Sequence, residues 1–154
     1  MKVSRRLLSV CVWLVVAFAV SGPARAEGDG EVVEAGPDRV VVQHILIGFK
    51  RSVPGQKLDR TKKEAEALAR ELFQRAKDGE DFLGLVKEYS ADGAPGILPL
   101  VNTDAPRMVG SRGRDQVVPG FGDAAFALEV GEIGLVEYSF GDSPYGWHII
   151  KRLE

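Results

Sequence analysis

The segment that most constrains the fold is residues 40–47, with the sequence Val-Val-Val-Gln-His-Ile-Leu-Ile. β-Branched residues dominate this run, and a continuous apolar run of this length is typical of a buried β-strand. Residues 147–153 form a second strand-like run, and residues 134–140 form a third. Residues 97–101 predict one further, brief strand. The chain is therefore expected to build a small β-sheet.

Three helices are predicted between these strands. Thr61 and Glu64 have the spacing of a capping box, in which the threonine accepts a backbone hydrogen bond and the glutamate reaches back. Apolar residues then recur on one helical face until Gly79, a common helix terminator. A second helix is predicted from Asp81, and a third over residues 123–128. This order of elements predicts an α+β domain with helices packed against a small antiparallel sheet.

The N-terminal 26 residues have the pattern of a signal peptide. Lys2, Arg5 and Arg6 form a positively charged start, residues 7–20 are almost entirely apolar, and a small-x-small cleavage pattern ends at Ala26. The apolar run is shorter than the ~20 residues that span a bilayer. An uncleaved membrane anchor is the alternative interpretation. Residues 27–39 are rich in glycine and acidic residues and predict a flexible tail.

Cysteine content and charge exclude several classes of function for the exported protein. Cys11 is the only cysteine and lies within the predicted signal peptide, so the mature chain would lack a disulfide, a thiolate zinc site and a cysteine nucleophile. The signal segment carries four basic residues and no acidic one. Its removal takes the formal net charge from −2 to −6. An acidic protein of this kind is not expected to bind nucleic acid.

The chain has two histidines, His44 and His148, and both lie in predicted strands. In a small sheet the first and last strands can be neighbours, which would bring the two rings together. Taken singly, each is more simply a structural histidine. Neither has the spacing of a zinc ligand pair, and the sequence contains no Gly-x-Ser-x-Gly motif, so neither a metal site nor a serine hydrolase is predicted. The residues alone stop at a small α+β domain with two strand histidines.

Five landmarks occur in order along residues 40–154. They are residues 42–47, residues 61–65 with 79–82, residues 85–90, residues 118–128 with 131–133, and residues 146–150. Together they resemble the parvulin (rotamase) family of peptidyl-prolyl cis/trans isomerases. The resemblance implies the parvulin fold, a small antiparallel sheet surrounded by about four helices. It also implies isomerisation of X-Pro peptide bonds without a cofactor or a covalent step.

Four polar residues match positions of the parvulin active site. His44 and His148 resemble the paired histidines beneath that site, and Asp92 resembles a position that holds Asp or Cys in the family. Ser143 falls near a small hydroxyl residue that supports the histidine network. The resemblance therefore implies a catalytic role for these four residues. Without the resemblance, Asp92 is more simply a loop or helix-cap aspartate.

The resemblance also implies an apolar pocket for the proline ring. Its three implied residues are Leu98, Val117 and Phe121. On the sequence alone, the alternative for all three is an ordinary core residue, and for Val117 the two interpretations are evenly balanced. The chain departs from the family at residues 94–99, where parvulins usually carry a Gly-Gly-Asp-Leu-Gly type of turn, and about a dozen inserted residues follow. This change predicts a reshaped pocket wall near Leu98, and residues 105–116 predict a polar surface loop.

The loop after the first strand carries four basic residues: Lys50, Arg51, Lys57 and Arg60. Some parvulins use basic residues of this loop to favour phosphorylated Ser or Thr before proline. A solvated set of surface charges is the favoured interpretation here, because an exported protein seldom meets such substrates. A preference for acidic residues before proline stays open.

The resulting functional hypothesis is a monomeric isomerase in the periplasm or outside the cell. Its expected partners are proline-containing peptide segments of exported, unfolded or partly folded proteins, with no metal, nucleic acid or cofactor. Membrane association is expected only if the signal segment stays uncleaved. The main alternative is a chaperone-like domain that binds peptides but isomerises poorly, which the altered turn at residues 94–99 favours. A structural or assembly subunit that reuses the fold is a more remote alternative.

Overall fold

The structure, a computed structural model, describes residues 36–154. The predicted signal peptide with Cys11, and residues 27–35 of the predicted tail, lie outside the described residues. Within residues 36–154, no helix combines the length and the apolar character needed to cross a membrane. The same residues contain no group of three or more His, Cys, Asp or Glu side chains that could hold a metal ion.

The described chain forms five strands, three α-helices and one short 3₁₀ helix. In chain order these are β1 (Arg39–Ile47), α1 (Lys62–Lys77), α2 (Phe82–Tyr89), β2 (Ile97–Val101), β3 (Arg112–Gly113), the 3₁₀ helix (Arg114–Gln116), α3 (Pro119–Ala127), β4 (Ile133–Val136) and β5 (Trp147–Arg152). The predicted α+β class is confirmed, with the 3₁₀ helix in place of a fourth α-helix.

The strands form one sheet in the order β3-β2-β1-β5-β4. β1 is central and pairs antiparallel with both β2 and β5, and β4 pairs antiparallel with β5. The edge strand β3 runs parallel to β2, which makes the sheet mixed rather than purely antiparallel. Parallel neighbours need a crossover connection. Residues 102–111, within the stretch that the sequence marks as inserted, provide it.

Helices cover both faces of the sheet. Helices α1 and α2 pack on one face in a cluster that includes Ile45 and Ile149. Helix α3 packs on the opposite face in a cluster that includes Val42 and Ile150. Side chains alternate between the two faces along a strand, so a strand covered on both sides is apolar at successive positions. This explains the uninterrupted burial of residues 42–47, including the histidine.

The helix starts follow local capping chemistry. Thr61 caps α1 by accepting from the backbone N–H of Glu64, while the Glu64 carboxylate accepts from the backbone N–H of Thr61, so the predicted capping box is present. Asp81 caps α2 in the predicted place. Helix α3 begins at Pro119 rather than at residue 123, because proline at the first helical position has a suitable φ and lacks an N–H that would be unpaired there.

Two predictions about the second half of the domain were wrong in detail. Residues 105–116 were expected to be a loop throughout, but they contain β3 and the 3₁₀ helix. The strand predicted over residues 134–140 ends at Val136, so a long connection replaces a tight hairpin turn before β5. That connection folds back on itself through an isolated bridge between Ser139 and Ser143.

Candidate active site

The pairing of β1 with β5 brings the two histidines together. Leu46 lies opposite His148 and His44 lies opposite Ile150, so the two rings are diagonal neighbours on one face of the sheet. Their centroids are 6.1 Å apart. Phe121 of α3 stands edge-on against both rings, with centroid distances of 5.1 Å to His44 and 5.2 Å to His148. Both histidines are buried, and they lie between the sheet and α3.

Asp92 reaches this histidine pair from the loop between α2 and β2. The loop is tied to β1 by two hydrogen bonds: Ala91 N donates to Leu46 O over 2.9 Å, and Leu46 N donates to Ser90 Oγ over 3.1 Å. Asp92 Oδ2 then lies 3.1 Å from His44 Nε2. The backbone of the central strand therefore sets the position of the carboxylate.

Gly96 closes the same loop against β1. His44 N donates to Gly96 O over 3.0 Å, and Gln43 Nε2 donates to Pro95 O over 2.7 Å. Gly96 has a φ of +65°, and a Cβ at this position would lie 2.5 Å from the His44 carbonyl oxygen. The turn thus requires a glycine both for its backbone angle and for its close approach to the strand. One glycine of the altered segment performs this task, although the usual family turn is missing.

The electrostatics of the site follow from burial and from this hydrogen bond. The hydrogen bond with His44 lowers the pKa of Asp92 below its ordinary value, so the carboxylate is ionised at neutral pH. An ionised carboxylate can only accept, so His44 Nε2 is the donor. Burial, with a contribution from His44, lowers the pKa of His148 to about 4, so its ring is neutral at physiological pH. Among the described residues, His44 Nδ1 and both nitrogens of His148 are buried without a hydrogen-bond partner.

A cleft of about 540 Å³ opens over these residues. Six of the seven residues predicted for the site line it: His44, Asp92, Leu98, Val117, Phe121 and His148. The Asp92–His44 pair contributes polar groups to the lining, and Leu98, Val117 and Phe121 contribute an apolar wall. Leu98 lies on β2 two residues beyond Gly96 and keeps its place in the wall despite the altered turn.

Ser143 is the predicted residue that does not line the cleft. It is fully buried, and its hydroxyl donates to Gly146 O over 2.7 Å rather than to a histidine. Ser143 lies in the long connection before β5, and its hydroxyl points toward the backbone of that same connection. In the structure Ser143 therefore stabilises the loop that leads into the His148 strand and makes no hydrogen bond to either ring.

Comparison with known proteins places the chain in a family. The sequence matches the PPIC-type PPIase domain over residues 31–154. The chain belongs to this parvulin family. The parvulin resemblance predicted from the five landmarks is thereby confirmed.

Two curated relatives show how this parvulin domain is used in longer proteins. The chain is 36% identical over 110 residues to the chaperone SurA of Chromohalobacter salexigens, which covers 71% of the chain and 21% of SurA. It is 38% identical over 86 residues to the foldase protein PrsA of Caldanaerobacter subterraneus, which covers 56% of the chain and 24% of PrsA. The matched part of the chain thus spans about a fifth to a quarter of the length of these relatives.

Solved structures match the parvulin fold directly. The peptidyl-prolyl isomerase ESS1 from Candida albicans superposes with a TM-score of 0.56 at 25% identity, covering 76% of this chain and 63% of that one. The solution structure of TbPIN1 gives a TM-score of 0.54 at 26% identity and covers 76% of this chain and 98% of that one.

Sequence reasoning missed several other lining residues of this parvulin cleft. The main ones are Arg112, Asp115, Gln116 and Tyr145. Arg112 and Asp115 belong to the stretch predicted as a surface loop, where a single arginine in a polar, glycine-containing segment gives no signal of its own. Gln116 is the last residue of that predicted loop, and its side chain accepts from Gly113 N over 2.9 Å and closes the 3₁₀ turn.

Proposed function

We propose that the chain is a peptidyl-prolyl cis/trans isomerase that acts on X-Pro bonds of exported, unfolded or partly folded proteins. The observation that carries this proposal is the cleft in which Leu98, Val117 and Phe121 form an apolar wall beside the Asp92–His44 pair. Membership in the PPIC-type PPIase family supports the same activity. The signal-peptide pattern of residues 1–26 supports exported proteins as clients.

Isomerisation of a peptide bond requires neither a nucleophile nor a cofactor in the site. Rotation about a peptide bond has a barrier of ~18–20 kcal/mol because it breaks amide resonance. The cis and trans forms of an X-Pro bond differ by only ~0.5–1 kcal/mol, so an unfolded chain populates both. A catalyst therefore needs to bind the twisted amide more tightly than either planar form. No bond to the protein has to form or break.

We assign Leu98, Val117 and Phe121 to the binding of the proline ring. The Asp92–His44 pair is assigned to the rotating carbonyl group. In the planar amide, resonance places partial negative charge on the carbonyl oxygen, and this charge decreases as the bond twists. An ionised Asp92 next to that oxygen disfavours the planar form more than the twisted one. His44 fixes the carboxylate by donating from Nε2, and Phe121 packs edge-on against both histidine rings. His148, neutral and buried, forms the floor beneath them.

Holding of unfolded chains is the second candidate function. Two observations favour it. The relatives carry the names chaperone and foldase, and the inserted residues after the altered turn include exposed apolar side chains at Met108 and Val109. In either case the protein is proposed to act as a monomer in the periplasm or outside the cell, with proline-containing peptide segments as partners.

An isomerisation assay with a panel of short X-Pro peptides separates the two functions. The purified chain is expected to accelerate cis/trans exchange, measured by a protease-coupled assay or by NMR exchange spectroscopy, relative to buffer alone. Saturable peptide binding without acceleration would support a holding function instead. Absence of both binding and acceleration would contradict both candidates.

A further inference from the structure

The cleft contains three charged side chains, and two of them are already paired. Asp92 accepts from His44. Asp115 accepts two hydrogen bonds from Arg107 Nη2, at 3.0 and 2.9 Å. The third, Arg112, makes no salt bridge or side-chain hydrogen bond with any residue that the structure describes. It is exposed, and it is the unpaired cation of the cleft wall.

The position of Arg112 follows from the inserted segment. Residues 102–111 carry the chain across to β3, and β3 pairs parallel to β2 with Arg112 opposite Leu100. This register places Arg112 two positions along β2 from Leu98, which lines the same cleft. Its positive charge also contributes to lowering the pKa of Asp92. The guanidinium thus lines the same cleft as the apolar wall and lies near enough to the carboxylate for their charges to interact.

The basic loop after β1 does not supply such a charge to the cleft. The four residues that the sequence singled out there, Lys50, Arg51, Lys57 and Arg60, are absent from the lining of the cleft. Arg112 is therefore the one arginine or lysine among the described lining residues that can pair with an anionic group of a peptide bound in the cleft. A preference for charged peptides is therefore expected to depend on the edge strand β3 rather than on the loop after β1.

We infer that Arg112 selects peptides that carry a carboxylate side chain next to the proline. This inference rests on the proposed function, because it places the proline ring against Leu98. A guanidinium pairs with a carboxylate through two parallel hydrogen bonds, a geometry that favours Asp and Glu over neutral side chains. Asp115 accepts from Arg107 and makes no hydrogen bond to Arg112. Arg112 acts here as a specificity-determining residue and takes no part in the bond rotation.

The same charges predict what happens when Arg112 is removed. Asp92 then becomes the charge that dominates the cleft, and it repels a substrate carboxylate. An Arg112→Gln variant is therefore expected to lose the preference for acidic peptides and to favour the neutral peptide instead. A residue with only a structural role would lower activity toward all peptides alike.

The test compares two matched peptide pairs, Glu-Pro with Gln-Pro and Pro-Glu with Pro-Gln, on the full chain. Both kcat/KM and Kd are measured at low ionic strength. For an exposed ion pair, the acidic peptide of at least one pair is expected to be favoured about two- to fivefold in the wild type. In Arg112→Gln, the ratio of kcat/KM for the acidic peptide to kcat/KM for its neutral partner falls to one or below. Lys63→Gln, the same change of charge on α1 at the opposite face of the sheet, keeps the wild-type ratio.

Four outcomes decide the inference. A wild-type ratio of one in both peptide pairs overturns it, as does a preference that persists in Arg112→Gln. Loss of the preference in Lys63→Gln also overturns it, since a general effect of net charge is then sufficient. Tighter binding of the acidic peptide without any acceleration supports the role of Arg112 while contradicting the proposed isomerase, so the two failures are distinguishable.

Discussion

His44 Nε2 donates a hydrogen bond to Asp92 Oδ2 over 3.1 Å, which joins the central strand to a loop 48 residues further along the chain. The two partners differ in exposure: the His44 side chain is 11% exposed and the Asp92 side chain 44%. The ring is therefore held in the interior, while the carboxylate stays within reach of a bound peptide. In the proposed mechanism, this asymmetry lets His44 orient the carboxylate and lets Asp92 act on the substrate.

Removal of the Asp92 carboxylate is expected to abolish most of the activity. Asp92 is proposed to repel the carbonyl oxygen of the planar amide more than that of the twisted amide, so Asp92→Ala should lower kcat. A loss of about 1.4 kcal/mol in this difference lowers kcat about tenfold. Asp92→Asn keeps an acceptor for His44 but removes the charge, and it should lose nearly as much activity. Activity is measured with X-Pro peptides, and folding is checked by circular dichroism.

The matched control for this change is Asp104→Ala, an exposed aspartate in the segment between β2 and β3. It should retain wild-type activity. Full activity in Asp92→Asn would show that the charge is unnecessary, and the electrostatic role proposed for Asp92 would then be wrong.

Gly96 is expected to tolerate no side chain. Gly96→Ala forces an L-residue into a left-handed conformation, which costs about 1–2 kcal/mol, and also drives a methyl group against the His44 carbonyl oxygen. Gly93→Ala, at a φ of +75° with open space around it, bears the conformational cost alone. In urea unfolding, Gly96→Ala should therefore lose at least about 1 kcal/mol more than Gly93→Ala. Equal losses would mean that the loop moves away from β1 without cost.

The stability of the fold is expected to decrease between pH 6.5 and pH 4. Burial lowers the pKa of His148 from 6.5 to about 4. In this pH window the His148 ring is therefore protonated in the unfolded state but neutral in the folded state. The free energy of unfolding then falls by up to about 1.4 kcal/mol per pH unit as the pH is lowered. Asp92, whose pKa is lowered, adds a further loss only below about pH 4.

Thermal unfolding at a series of pH values measures this decrease, and His148→Gln should show a shallower dependence than the wild type. An NMR titration of the His148 ring gives an independent reading in case the variant does not fold. A midpoint above pH 6 for that ring would contradict the assignment of a neutral, buried histidine.

Two leucines on the same face of β2 are expected to separate activity from stability. Leu100 is fully buried in the core, so Leu100→Ala should cost about 2–5 kcal/mol of unfolding free energy. Leu98 is only partly buried and lines the cleft, so Leu98→Ala should cost less stability but raise KM for X-Pro peptides. Denaturant unfolding and peptide kinetics on both variants test this. The idea fails if Leu98→Ala leaves KM unchanged while the protein stays folded.

The apolar runs around His44 and His148 predicted two strands that could be neighbours, and the resemblance to the family implied that the two histidines form a pair. It could not supply the register between β1 and β5. A shift of one residue would place His148 on the opposite face of the sheet, away from His44. The register depends on packing across the whole strand pair, and no local pattern near His44 contains that information. The family landmarks, rather than periodicity, led to Asp92.

The edge of the cleft was not predictable for a different reason. β3 is only two residues long, Arg112 and Gly113, so it has no alternation that a sequence pattern could reveal. It exists because Leu100 and Val101 offer it a partner. The start of α3 was misplaced for a simpler reason, since Pro119 was taken as part of the approach to the helix rather than as its first residue.

The central position of β1 has a consequence for the time at which the domain matures. β1 forms early in synthesis, but one of its two edges is completed only by residues 147–152, over a hundred residues later. Until that segment is available, an apolar strand edge is open and the two histidines cannot meet. Long-range strand pairing of this kind is slow and leaves a folding chain prone to aggregation. A protein proposed to help other chains fold thus completes its own cleft last.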